Sequence, residues 1–241
     1  KKLGWDIRGF DLVHSESEEE SANAAAKLCG AGEADILMKG NVHSDKFIKA
    51  VITSKNKIRT SKRLIHVFYI TPTDGTEGVM VSDAAVNVVL NEKSKKRATL
   101  IVVELLKKIG IVRPKIAFLS ASESIIESMP STLEGKVLCD WSKENIQGAD
   151  FAGPLALDLI LSRQAAAIKG VKENRVSGRA NGIIVPDIVS GNALFKSLVY
   201  LSGGCAAGLV IGARVPLILT SRADPPAARL ASIALASISQ S

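Results

Sequence analysis

Apolar residues recur along this chain in two rhythms. Short runs at residues 64–70, Val79–Ser82, 116–119, 183–185, 209–211 and 217–219 read as buried strands. Between them the apolar positions fall three and four apart. That spacing predicts helices over residues 16–29, through Phe47, Ile48, Val51 and Ile52, and over 96–109, with Leu100, Val103, Leu106 and Lys107 at helical intervals. Further helices are predicted at 155–168, at 192–201, and through Leu230, Ile233, Ala234 and Leu235. Strands alternating with helices define an α/β fold.

Punctuation residues sharpen the boundaries. Ser15 and Glu18 have capping-box spacing, and Gly30 stands where a helix C-terminal glycine is expected. Residues 35–38 form a short strand ending in Lys39-Gly40, and Ser44 is placed to cap the helix that follows. Gly110 stops the helix at 96–109, and Gly153-Pro154 reads as a turn. Pro225 and Pro226 sit where proline is welcome, in a first helical turn. The acidic stretch 15–21 is a helix start rather than a tail.

Composition agrees with buried sheets under helices. Hydrophobic residues are 46% of the 241 and aromatics only 4%. The net charge is +7, which attracts either nucleic acid or small polyanions. The densest basic cluster, Lys93 to Arg97, leads into a helical pattern and reads as a solvated helix start, so nucleic acid is set aside. Cys29, Cys139 and Cys205 are odd in number and far apart, which fits a reducing cytoplasm and neither a disulfide framework nor a zinc site. No apolar run reaches the roughly 20 residues of a membrane span. The chain opens at Lys1 rather than Met, so a natural start further upstream is expected.

Candidate chemistry gathers at strand ends. Thr220-Ser221-Arg222-Ala223-Asp224 joins a strand to the closing helix. A helix N-terminus at that edge offers N–H groups to phosphate, and Arg222 adds a bidentate guanidinium. The same residues also suit a plain capped turn, with Asp224 as N-cap ahead of Pro225. Lys39 to Asp45 repeats the strand–turn–helix pattern, where Lys39 and His43 are either ligands for an anion or ordinary loop residues. Ser82 to Asn87, and Pro186-Asp187 leading to Asn192, are further polar turns. No catalytic triad, zinc helix, phosphate loop or carboxylate cluster for a divalent metal stands out, and no metal is expected.

At these residues the chain closely resembles the phosphate acetyl/butyryltransferase family. The matching segments are GEADILMKGNVHSD at 32–45, RTSKRLIHVF at 59–68, SDAAVN at 82–87 and GPLALD at 153–158. Others are VPDIVSGNALFKSLVY at 185–200, GARVPLILTSRAD at 212–224 and ARLASIALA at 228–236. The wording of two segments is closest to the form fused behind a MaoC-type hydratase domain. The resemblance implies two α/β domains flanking a cleft, as in isocitrate/isopropylmalate dehydrogenases: residues 1–62 with 209–241 as one domain, 63–208 as the other, and a missing N-terminal strand–helix segment. It also implies reversible transfer of a short acyl group between phosphate and coenzyme A. The CoA thiolate attacks within a ternary complex, with CoA and acyl phosphate as substrates, no permanently bound cofactor and a homodimeric assembly.

By the same resemblance Ser221 and Arg222 hold the acyl phosphate. Asp224 is a candidate base, and Lys39, His43, Arg59, Asp83, Asn87, Asp187, Asn192 and Lys196 are candidate substrate-binding residues. The chain departs from the acetyl branch at Ala228, where that branch has an aspartate, and at Tyr200, where it has an arginine. It also has Ala152 before GPLALD and Ser61-Lys62 in place of Gly-Arg. Ala228 and Tyr200 point to the butyryl-like branch, and the departures together leave the base open. Two alternatives follow: a catalytically impaired CoA-binding homologue, or a metal- and NAD-dependent decarboxylating dehydrogenase relative.

Overall fold

The computed structural model describes residue 6 and residues 8–171, 174–220 and 224–240. Helix α1 (Glu18–Ala31) opens the order, then β1 (Leu37–Met38) and α2 (Ser44–Ile52). Strands β2 (Ile65–Thr71) and β3 (Val79–Ser82) lead to α3 (Glu92–Lys108) and β4 (Lys115–Leu119). Helix α4 (Pro130–Asn145), β5 (Asp150–Leu155), α5 (Leu157–Leu161), α6 (Arg163–Ile168) and β6 (Gly182–Ile184) follow. The chain closes with α7 (Ile188–Tyr200), β7 (Cys205–Ile211), β8 (Leu217–Ile218) and α8 (Pro226–Gln240).

The strands form one sheet in the order β1-β8-β7-β2-β3-β6-β4-β5. Strand β2 runs antiparallel to both β3 and β7, while β3, β6, β4 and β5 are parallel, as are β1 and β8. Alternation along β2 divides the core. Ile65 and Val67 point to the face covered by α3, α4 and α8, where Val102, Leu106, Leu138 and Leu235 pack with them. Phe68 and Ile70 point the other way, under α5, α6 and α7. On that second face a separate apolar group joins α1, α2, β1 and β8 through Ala26, Leu37, Phe47, Val51, Ile58 and Leu217. Val210 belongs to that group and pairs with His66, whose side chain lies on the Phe68 side of β2. The two helical groups therefore sit side by side on one face, and a cleft opens between them.

Several sequence expectations are corrected. Gly30 does not end α1. Gly32 does, with φ +83°, while Gly30 is buried inside the helix because a Cβ there would stand 1.9 Å from the Asn56 carbonyl oxygen. The cap of α1 is Ser17, whose Oγ accepts from the Glu20 N–H at 3.2 Å, rather than the expected Ser15. His43, not Ser44, occupies the N-cap of α2 and makes no side-chain cap there. Helix α8 begins at Pro226, and its Arg229 N–H donates to the Pro225 carbonyl, so Asp224 lies one residue ahead of the cap.

Lys93 to Arg97 is not a wholly solvated helix start. It lies inside α3, and Lys95 is 2% exposed and ion-paired to Glu134 of α4. Strand β5 replaces the turn expected at Gly153-Pro154. Proline is tolerated because β5 is the edge of the sheet. No helix among the described residues is long and apolar enough to cross a membrane.

Candidate active site at the strand ends

Two turns, after β1 and after β8, meet helix α7 at the cleft. Strand β1 continues its ladder to Lys39, whose N–H donates to the Ile218 carbonyl at 2.9 Å. From the neighbouring strand end the Thr220 hydroxyl donates to the Lys39 carbonyl at 2.8 Å, which locks the two turns together. The buried Lys39 ammonium donates to the carbonyls of Val42, at 3.1 Å, and Gly40, at 3.3 Å. A cation held this way shapes the turn and adds positive charge to the wall of the cleft.

His43 and Ser44 begin α2 on that same wall. Glu18 of α1 accepts from the His43 backbone N–H at 3.2 Å and meets its Nδ1 at 2.7 Å. The imidazole beside it, followed by that N–H, holds the Glu18 carboxyl well below the usual glutamate range, at about 2.

Helix α7 forms the opposite wall. Asp187 caps it, accepting from the Ser190 N–H at 2.8 Å. Asn192 donates to the Ala84 carbonyl at 3.1 Å, and Phe195 stacks on Phe68 at 3.7 Å between ring centres. The cavity, about 470 Å³, is lined by Lys39, His43 and Ser44 on one side, by Asn192, Phe195 and Lys196 on the other, and by Thr220 and Asp224 at its end. It is large enough for a small ligand, with aromatic and polar groups both available.

Of the candidate residues, the cleft thus gathers Lys39, His43, Asn192, Lys196 and Asp224. The structure places the others elsewhere. Asp83 is buried and accepts from the backbone N–H groups of His66, Ala85 and Val86 and from the Asn87 amide, at 2.6–3.1 Å. Asn87 also donates to the Leu64 carbonyl at 2.7 Å. Asp187 serves as the α7 cap, and Arg59 lines a separate cavity beside Thr60 and Lys62. Ser221 and Arg222 lie outside the described residues, in the stretch that joins Thr220 to Asp224.

Sequence pattern does not single out Phe68 and Phe195, since apolar periodicity files them with the core. Behind Phe68 lies His66, fully buried, its ring edge-on to that phenyl at 4.2 Å. Neither ring nitrogen has a hydrogen-bond partner among the described residues. Burial pushes this imidazole down to about 4, against the opposing pull of the Asp83 carboxylate. Gly208, opposite Phe68 in the ladder, makes room for the pair, because a Cβ there would meet the Phe68 ring at 2.9 Å.

A ligand-sized cleft at strand ends, with lysines on both walls, is the kind of site in which α/β enzymes take small anionic ligands. The sequence signature of the phosphate acetyl/butaryl transferase family matches residues 10–237. A phosphate acetyltransferase of Rhizobium meliloti is 38% identical, across 97% of this chain and 74% of its own length. A phosphate butyryltransferase of Clostridium acetobutylicum is 35% identical, across 98% of this chain and 79% of its own. The crystal structure of a branched-chain phosphotransacylase from Enterococcus faecalis V583 superposes with a TM-score of 0.86 at 31% identity, covering 94% of this chain and 81% of that one. The chain belongs to the phosphate acetyl/butaryl transferase family, and it is an acyltransferase.

Proposed function

We propose that this acyltransferase moves a short acyl group reversibly between phosphate and the thiol of coenzyme A, in the cleft between α2 and α7. The observation that carries the reading is the convergence of Lys39, Lys196, Asn192 and His43 around one cavity whose end is formed by Thr220 and Asp224. Between those last two residues stand Ser221 and Arg222. In this reading Arg222 neutralises the phosphate and Ser221 hydrogen-bonds the thiol or the developing oxyanion. Lys39 and Lys196 add positive charge on opposite walls, and Phe68 and Phe195 give the acyl chain an apolar surface.

The CoA sulfur forms a bond to the acyl carbon, the carbon–oxygen bond to phosphate breaks, and phosphate leaves with that electron pair. Asp224, which lines the same cavity, takes the thiol proton. Catalysis then rests on holding both substrates together and on placing fixed positive charge where negative charge collects.

The reading extends to the architecture. Residues 1–62 with 209–241, and residues 63–208, act as two units that close on the ligands, in the manner of isocitrate/isopropylmalate dehydrogenases. The separate apolar group of α1, α2, β1 and β8 supports that division for those elements, while α8 packs with α3 and α4. The working enzyme is a cytoplasmic homodimer.

The test is CoA acylation by acetyl and butyryl phosphate with the full-length protein. Turnover is expected, and Arg222→Ala raises the KM for acyl phosphate while lowering kcat. Absence of turnover together with absence of CoA binding sinks the proposal.

A further inference from the structure

A second cavity, of about 380 Å³, lies away from the cleft, between the loop that precedes β2 and the first turns of α3. We propose that it is an oxyanion site, built to take a phosphate or diphosphate group. Among the described residues four cationic side chains line it, Lys62, Arg63, Lys93 and Arg97, and no acidic one does. The carboxylate next to Lys93 on the helix, Glu92, is already paired with Lys96 at 2.6 Å. Among the described residues none of the four cations makes an ion pair.

Like charges gathered around one hollow repel each other, and Lys93 and Arg97 are four apart on one helix, where the repulsion is direct. An arrangement of this kind gains most from a multivalent anion between the charges.

The orphaned donor points the same way. Arg97 Nε is shielded from water and has no acceptor among the described residues. A buried guanidinium N–H without a partner is rare, because each such donor forfeits a hydrogen bond it had in solvent. Arg63, by contrast, is pinned, donating to the Ser94 hydroxyl at 2.6 Å, and Ser94 in turn is held by the Asn91 side chain. One guanidinium is fixed and the other awaits an oxygen. An adjoining cavity of about 210 Å³ shares Lys62 and Arg63 and adds Arg59, so there is room for two linked phosphates.

Such a group has two sources, the nucleotide end of the CoA substrate or a separate phosphorylated effector. The shared chemistry is tested with pyrophosphate, titrated by calorimetry into the full chain carrying Lys196→Glu to suppress binding in the cleft. Adding Lys93→Gln and Arg97→Gln is expected to weaken pyrophosphate binding about tenfold or more, as loss of charge-assisted bonds does. Circular dichroism checks the fold, and Lys62→Gln alone serves if the combined variant is unstable. Equal affinities with and without these substitutions, or no binding to the Lys196→Glu chain, overturn the proposal.

The source is then read from turnover of the chain with native Lys196. A raised KM for CoA on Arg97→Gln assigns the site to that substrate. An unchanged KM with pyrophosphate binding lost assigns it to a separate effector. The binding arm needs no catalysis, so it stands apart from the acyltransfer reading.

Discussion

Two turns follow strands of the same sheet, carry the same kinds of polar residue and do opposite work. In the turn after β3, Asp83 spends both carboxylate oxygens on the His66, Ala85 and Val86 N–H groups and the Asn87 amide. Ser82 donates to the His66 carbonyl at 2.7 Å, and the Ser82–Asp83 peptide is cis. In the turn after β1, Lys39 ties together its own loop, and the residues beside it border a cavity. The first turn is satisfied from within and holds strands together. The second is braced from its rim, by Glu18 and Thr220, and its Lys39 and His43 line the cavity, which the β3 turn meets through Ala85. Polar residues at strand ends are therefore architecture or chemistry according to where their hydrogen bonds go.

The sharpest way to break this contrast is Asp83→Ala. It strips the acceptor from four donors, three of them backbone N–H groups. The expected cost is on the order of 4 kcal/mol, measured by denaturant unfolding. A loss near zero makes the β3 turn a poor example of internal satisfaction.

Next in size is the ring of His66, whose backbone N–H donates to Asp83. His66 is buried neutral, at about 4 against an ordinary 6.5. Above pH 6.5 it is neutral folded or unfolded and stability is full. As pH falls the unfolded chain takes a proton first, so the native state loses roughly 2–3 kcal/mol from this ring by about pH 4. His66→Leu removes that part of the acid dependence, and the orphaned ring nitrogens go with it. The check is urea unfolding of both proteins near neutral pH and again in mild acid, between the folded and unfolded titrations; parallel pH dependences exonerate the histidine.

Much of the fold is legible in the residues, and the failures have physical reasons. Apolar runs locate β2, β3 and β6 to within a few residues, because Val, Ile, Met and Phe fill most of their buried positions. The closing helix shows itself through Leu230, Ile233 and Leu235 at helical spacing, although it buries mainly Ala and Ser. Helix α4 escapes notice because it buries Thr132, Gly135, Cys139 and Ser142 beside a single leucine, which leaves no apolar stripe. Strand β5 is hidden by its own proline.

At the site, the turns are visible but their use is not. Spacing gives no warning here, since Asp83, Asp187 and Asn192 are all polar residues soon after strand ends, and only Asn192 among them reaches the cleft. Phe68 and Phe195 come together from distant parts of the chain, which no local pattern reports.

Lys196 sharpens the comparison from the other side. It is exposed on α7, lines the cleft and has no ion-pair partner among the described residues. Lys196→Met is expected to leave the melting temperature unchanged and to lower kcat/KM for acyl transfer about tenfold, the scale of one lost charge-assisted contact. The opposite pattern, a stability loss with intact turnover, moves α7 from the chemical to the architectural side.

The smallest effect concerns the rim. His43 reaches from the cleft turn to Glu18, and this contact holds the Glu18 carboxyl at about 2. Replacing His43 by Ala removes the imidazole and leaves the backbone N–H, so the Glu18 titration should rise toward the ordinary glutamate value, read by carboxyl-carbon NMR. The His43 side chain is exposed and Glu18 is partly so, and little stability hangs on the pair. Its work is positional. A carboxylate ionised throughout the neutral range keeps one strong acceptor fixed beside the start of α2, and the wall of the cleft starts there. If Glu18 still titrates near 2 in His43→Ala, the brace runs through the backbone N–H, and the imidazole is left to the ligand.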